Sequence, residues 1–172
     1  MEITMADTAT LQSDPSGNTA ENWGLTAVKT ALAPGGRAYD LPFMKTAGFS
    51  DSITLLQAEK GLVLIEWQAD APLNSYDGII HGGMQTALAD IAQGHAFSTL
   101  IDAPCGFSTV DLTSRYLRPM PSGRTYQVET KVLESTRRTA LIETVIRRED
   151  GKTVSRFLGN WQIVQREFQL KN

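Results

Sequence analysis

The segment IIHGGMQTALAD, residues 79–90, places a histidine, two glycines and one carboxylate at a spacing that suits attack on a carbonyl group. The first amides of a helix have no partner within the helix and carry partial positive charge. Glycine has no Cβ, so a ligand carbonyl can come close to the amides of Gly82 and Gly83 and find an oxyanion hole there. His81 can serve either as a base or as the residue that fixes the turn by hydrogen bonding, and the second interpretation is favoured.

Asp90 is the only charged residue in the run 83–101, in which ten of nineteen residues are Met, Ala, Leu, Ile or Phe. A buried carboxylate without a partner is costly. Asp90 therefore either reaches a structural partner, such as a backbone amide or an arginine, or marks a functional site; the second is favoured. As a general base it can take a proton from water, and as a nucleophile it can attack directly.

Helix geometry restricts how Gly82 and Asp90 can cooperate. They lie eight residues apart, which is about 12 Å along the axis at ~1.5 Å per residue. One substrate carbonyl cannot contact Gly82 and also receive water from Asp90 of the same chain. If both act, two antiparallel helices related by a two-fold axis must share each site, which predicts a homodimer.

The elements that position these residues follow from hydrophobic periodicity. The run 83–101 is apolar on every face, which predicts a helix buried all round and wrapped by a sheet. The predicted fold is thus α+β, with a long central helix wrapped by an antiparallel sheet of five to six strands. Short helices are predicted in 24–33 and 40–48, and strands over 52–58, 62–69, 108–119, 124–135, 139–148 and 152–165. Polar residues 1–22 predict a flexible N-terminal tail, and residues 23–172 a single domain.

Composition excludes several classes of protein. The chain has 172 residues, 41% of them hydrophobic and 20% charged, as is usual for a globular domain. A net charge of −3 argues against general nucleic-acid binding, and no apolar stretch of ~18 residues predicts a membrane span. The N-terminus has no secretory signal pattern, and there is one cysteine, so a cytoplasmic location is predicted.

Positive charge is concentrated in residues 115–156, which hold ten of the sixteen Lys and Arg but five of the nineteen acids. This segment is either the solvated face of a sheet or a landing site for an anionic ligand.

The stretches GIIHGGMQTALADIAQGHA and STVDLTSRYLRPMPSG resemble the hotdog-fold acyl-CoA thioesterases of the phenylacetate pathway, the PaaI-like family. The likeness covers roughly residues 40–165. It implies a helix wrapped by an antiparallel sheet, a homodimer or dimer of dimers, and hydrolysis of acyl-CoA thioesters without a metal or cofactor.

Transferred by position, the resemblance puts the oxyanion amide on Gly82 and the catalytic acid on Asp90. A water-orienting hydroxyl falls on Thr109, with Ser108 as its neighbour. The family often has an asparagine six residues before the histidine. Here that position is Ser75, and Asn74 would occupy it only with a one-residue loop insertion. Further candidates for substrate binding are His81, Gly83, Arg115, Arg118, Arg137 and Arg138, the arginines for the phosphates of coenzyme A.

Two alternatives remain open from sequence alone. One is a hotdog dehydratase or hydratase, although the contexts of His81 and Asp90 do not resemble such enzymes. The other is a non-catalytic acyl-CoA-binding module, which has no need of Asp90. The chain has no Walker A, paired CxxC, HExxH or GxSxG pattern, so neither a metal site nor a serine nucleophile is predicted.

Overall fold

A computed structural model describes residues 22–36 and 41–165. The predicted tail, apart from residue 22, and the first residue of the helix predicted in 40–48 lie outside these ranges. In chain order the helices and strands are α1 (Trp23–Ala31), α2 (Pro42–Thr46), β1 (Ile53–Glu59), β2 (Leu62–Ala69), β3 (Asn74–Tyr76), β4 (Ile79–Ile80), α3 (Gly82–Ser98), β5 (Gly106–Tyr116), β6 (Arg124–Ser135), β7 (Thr139–Arg148) and β8 (Thr153–Gln165). A 3-10 turn, Ala71–Leu73, precedes β3.

Six strands form one antiparallel sheet in the order β1-β2-β6-β7-β8-β5, and α3 packs across one face of it. The predicted α+β hotdog architecture is thereby confirmed. The edges of the sheet are β1 and β5. In β5 the pairing with β8 shifts between Thr109 and Asp111, so Val110 forms a bulge.

The core lies between α3 and the sheet. The inner face of the sheet buries a row of rings in which Trp67 contacts Phe49 and Tyr126, with ring centroids 5.9 and 6.3 Å apart. Leu88 and Phe97 of α3 are also buried. The burial of these large side chains supplies most of the driving force for the fold.

The predicted bounds of α3 were wrong at both ends. It begins at Gly82, because the His81 side chain caps it, and it ends at Ser98 rather than at 101. Thr99 explains the early end: its hydroxyl donates to Ala96 O (2.7 Å) and accepts from Gly61 N–H (2.7 Å). These bonds hold the chain where it leaves the helix.

The prediction that α3 is buried on all sides was also wrong for the single chain. The sheet covers one face, and α1 covers part of the rest near the C-terminal end, where Gly24 N–H donates to Ile101 O (2.9 Å). A Cβ on Gly24 would lie 1.8 Å from Ser98 O, so only glycine allows this approach. The face that carries Asp90 and Ile91 stays half-buried.

Three of the predicted strands, β2, β6 and β7, have the bounds expected from the sequence. The region 70–78, for which the sequence predicts neither helix nor strand, contains the 3-10 turn and β3, which forms a small hairpin with β4. Within this hairpin Asn74 pairs with Ile80, next to His81. The hairpin therefore sets the position of the residues that precede α3.

His95, in the last turn of α3, predicts a pH dependence of stability. Burial lowers the pKa of His95 from 6.5 to about 4. Between these values the unfolded chain binds a proton that the folded chain does not. We expect the free energy of unfolding to fall as pH drops from 6.5 to 4, with up to about 3 kcal/mol lost through this residue.

Urea unfolding of wild-type and His95→Gln protein at pH 7 and pH 4.5 measures this effect. The variant should lose less stability than the wild type between the two pH values. Equal losses in both proteins would show that His95 does not resist protonation.

Candidate active site

Gly82, Thr86 and Asp90 share one face of α3, because they are spaced four residues apart. This face lies against the inner side of β5, at the open edge of the sheet. The contacts run in antiparallel order, with Tyr116 beside Gly82 and Thr109 beside Asp90. The helix and the strand together therefore form a polar seam that joins the two predicted catalytic groups.

Asp90 is half-buried and has one hydrogen-bond partner among the described residues. The hydroxyl of Thr109 donates to Asp90 Oδ1 at 2.6 Å, a short bond of the kind that charged acceptors form. Asp90 Oδ2 has no hydrogen-bond partner among the described residues. The structure thus brings Asp90 and Thr109 together and leaves one carboxylate oxygen available to a ligand or water.

The first turn of α3 leaves one amide at the predicted position without a partner. His81 Nδ1 accepts a bond from Gly83 N–H at 2.9 Å, and His81 O accepts from Met84 N–H at 3.0 Å. Gly82 N–H has no partner in the described part of the chain. His81 therefore acts as the helix cap favoured from sequence, and Gly83 N–H is occupied rather than open to substrate.

Two cavities flank the start of α3. One of about 400 Å³ reaches Gly82 and Ser75, and its wall is largely apolar or aromatic, with Tyr76, Ile79, Ile80, Tyr116, Leu117 and Met120. The other, of about 490 Å³, is lined by Asn74, His81, Met84 and residues of α2. The two residues considered for the family's asparagine thus border different cavities. Asn74 Oδ1 is buried and has no partner in the ranges described.

The basic segment does not form one cluster within a chain. Arg118 lines the cavity at Gly82, and its guanidinium donates to Thr153 O at 2.6 Å. Arg115 is exposed on β5. Arg137 and Arg138 border a cavity of about 350 Å³ at the far end of α3, roughly 25 Å away by the length of the helix.

Ser108 lies on the exposed side of β5, and its hydroxyl donates to the backbone oxygen of Thr109. Sequence reasoning missed the hydroxyls between Gly82 and Asp90. Ser114 Oγ lies 3.2 Å from Thr86 Oγ1, and the Tyr116 hydroxyl donates to Gly82 O at 2.9 Å. If side chains alternated regularly along β5, Ser114 and Tyr116 would lie on the face opposite to Thr109. The bulge at Val110 shifts the alternation by one residue and places them on the same face as Thr109.

A family profile described as Thioesterase superfamily matches residues 77–155, which contain the seam formed by α3 and β5. A Saccharolobus solfataricus protein whose name designates it an esterase is 29% identical over 119 residues, covering 69% of this chain and 84% of the relative. These sequence matches support a hydrolase.

Solved structures agree in fold. The Escherichia coli PaaI protein of the phenylacetic acid degradation operon superposes with a TM-score of 0.67 at 22% identity, over 80% of this chain and 93% of its own. The chain therefore has the fold of the PaaI-like hotdog thioesterases. A Streptococcus pneumoniae thioesterase protein with coenzyme A has a TM-score of 0.63 at 18% identity, over 72% of this chain and 99% of its own.

Three further features of the described ranges bear on a metal site, a membrane span and a cysteine nucleophile. Within them, no three His, Cys, Asp or Glu side chains gather as metal ligands would, and no helix is long and apolar enough to cross a membrane. Burial raises the pKa of the Cys105 thiol, which disfavours the nucleophilic thiolate.

The cap at His81 gives a prediction about stability. His81→Ala removes the acceptor for Gly83 N–H and should lower the free energy of unfolding by about 1 kcal/mol. His81→Asn restores a side-chain acceptor and should regain most of that loss. Thermal and urea unfolding of the three proteins measures both effects.

If His81→Asn is as stable as wild type yet loses nearly all turnover, His81 has a chemical role beyond the cap.

Proposed function

We propose that the protein hydrolyses acyl-CoA thioesters to a free acid and coenzyme A. The observation that carries this proposal is the seam between α3 and β5. Within residues 22–36 and 41–165, it presents an amide at Gly82 without a partner and a carboxylate at Asp90 that Thr109 holds by one oxygen. An amide for the carbonyl oxygen and a carboxylate for water are what thioester hydrolysis requires.

In the proposed reaction the thioester carbonyl oxygen accepts a hydrogen bond from Gly82 N–H. Water bound at Asp90 Oδ2 gives one proton to the carboxylate, and its oxygen attacks the carbonyl carbon. Gly82 N–H stabilises the resulting oxyanion, a contribution of about 3 kcal/mol for one such donor. The tetrahedral intermediate then expels the coenzyme A thiolate, which takes the proton from Asp90. Direct attack by Asp90 as a nucleophile uses the same two groups.

Each site is proposed to use two chains. Gly82 and Asp90 of one helix are about 12 Å apart along the axis, too far to serve one carbonyl and its water. Thr86 lies midway between them, so a two-fold axis near Thr86 would bring Asp90 of a second copy to Gly82. The edge strand β5 supports this arrangement, because it pairs only with β8 in the described chain and leaves an edge free.

The same symmetry gives the separated arginines a role. In the proposed dimer, Gly82 of one subunit faces the partner's Asp90. With antiparallel helices, Arg137 and Arg138 of the partner subunit then lie further along the partner's helix, on the side of the partner's Asp90 that is away from its own Gly82. Arg118 stays beside the Gly82 cavity. The pantetheine arm can then extend from the thioester towards guanidinium groups that suit its phosphates.

The proposal is tested with a panel of aryl- and fatty acyl-CoA thioesters, with release of free thiol as the readout. Wild-type protein should hydrolyse at least one of them. Asp90→Asn keeps the shape of the side chain and its bond from Thr109 but removes the base, so kcat should fall ~10²-fold or more. Circular dichroism checks that the variant stays folded.

Absence of thiol release from every substrate would refute the hydrolase and leave an acyl-CoA-binding module. A folded Asp90→Asn protein with normal turnover would refute the role of Asp90 alone.

Mixed dimers test the shared site. Asp90→Asn and Gly82→Val homodimers should each be nearly inactive. In a heterodimer, one site pairs an intact Gly82 with an intact Asp90, and the other carries both lesions. Co-refolding equal amounts gives half heterodimers, so about a quarter of wild-type activity should return.

Light scattering must show that both variants are folded dimers, and two different affinity tags must show that heterodimers form. If heterodimers form and activity does not return, each site lies within one chain.

A further inference from the structure

Tyr116 is the largest side chain in contact with Gly82 and has no role in the reaction described above. It is the last residue of β5, is half exposed, and borders the cavity at Gly82. We infer that Tyr116 is a positioning residue that holds the oxyanion amide in place. The inference rests on the proposed function and adds a residue to it.

The hydroxyl of Tyr116 donates to Gly82 O at 2.9 Å. It also lies 2.5 Å from Thr86 Oγ1, which in turn lies 3.2 Å from Ser114 Oγ. Thr86 Oγ1 also lies 3.2 Å from Gly82 O, a longer bond than the one from Tyr116. In the assignment of protons that uses the shorter bond, Ser114 donates to Thr86, Thr86 donates to Tyr116, and Tyr116 donates to the Gly82 carbonyl. In such a chain Ser114 donates, Thr86 and Tyr116 each accept once and donate once, and each bond strengthens the next.

The Gly82–Gly83 peptide is thereby bonded at both ends. Tyr116 binds its carbonyl, and His81 Nδ1 binds its N–H at 2.9 Å. The oxyanion donor, Gly82 N–H, is separated from this peptide by the two backbone torsions of Gly82. A glycine rotates more freely there than any other residue. With the neighbouring peptide held on both sides, the direction of the Gly82 N–H bond has little freedom left.

The ring of Tyr116 adds a steric restraint. A Cβ on residue 82 would lie 3.1 Å from Tyr116 Cζ and 3.3 Å from its hydroxyl oxygen. The ring cannot easily yield, because its hydroxyl is bonded and it makes an edge-to-face contact with buried Phe157, with centroids 6.0 Å apart at 78°. Tyr116 thus supplies a reason for glycine at position 82 beyond the approach of substrate.

Removal of the hydroxyl tests the hydrogen bond. Tyr116→Phe keeps the ring and should lower kcat about 3- to 10-fold, the range of one neutral hydrogen bond, with KM changed less than about twofold. Thr113→Val is the matched control, since it removes a hydroxyl from the opposite, exposed face of β5 and should leave kcat unchanged. A Tyr116→Phe enzyme with wild-type kcat would overturn the role of the hydroxyl.

A double-mutant cycle tests the ring. Gly82→Ala should lower kcat at least 10-fold, because the new methyl group presses on the ring and displaces the first turn. Tyr116→Ala should lower it as well. In the double variant the methyl group has room, so the two losses should not multiply, and kcat should equal or exceed that of Gly82→Ala alone. Losses that multiply would overturn the steric contact.

The outcomes separate the two proposals. A wild-type enzyme that hydrolyses thioesters while both tests on Tyr116 fail overturns this inference and leaves the proposed function standing. A wild-type protein without hydrolysis overturns both. If Gly82→Ala does not fold, Tyr116→Phe alone decides.

Discussion

The repeat of the α-helix is the constraint on which the candidate site depends. Residues four apart return to the same face, so Gly82, Thr86 and Asp90 form one row along α3. A single strand, β5, can then serve the whole row with side chains from Tyr116 to Thr109. The same rise that aligns the row also separates its ends by about 12 Å, which is why the proposed chemistry needs a second helix.

Much of the fold could be predicted because it rests on local patterns. Strands β2, β6 and β7 are short runs rich in strand-forming residues and bounded by turn residues, with apolar and polar residues alternating in β6, and the structure gives them the expected bounds. The C-terminal end of α3 could not be placed, because it depends on a side chain acting across the fold. Thr99, for example, binds the backbone of Gly61, thirty-eight residues earlier. No local pattern contains such a contact.

The candidate site could be predicted only in part, for a similar reason. Asp90 attracts attention as a lone charge in an apolar helix, and Thr109 follows from the family resemblance. The alternation of side chains along a strand would place Ser114 and Tyr116 on the face opposite to Thr109. The extra residue Val110 shifts the register of β5 and brings them to the same face. A bulge of this kind has no dependable local signature, because it is fixed by the pairing with β8.

Two polar side chains of α3, three residues apart, show how structural and functional polarity differ. Gln93 is fully buried and satisfied: its amide donates to Ile142 O, and its oxygen accepts from the Trp161 ring N–H at 2.9 Å. It ties the helix to the sheet and has little left to offer a ligand. Asp90 is half-buried, with one oxygen held by Thr109 and the other without a described partner. A carboxylate oxygen near the core that has no hydrogen bond costs free energy. If Asp90 served stability alone, we would expect both of its oxygens to be hydrogen-bonded, as both polar groups of the Gln93 side chain are. That the free oxygen lies beside the open edge of the sheet favours a role in binding water or substrate.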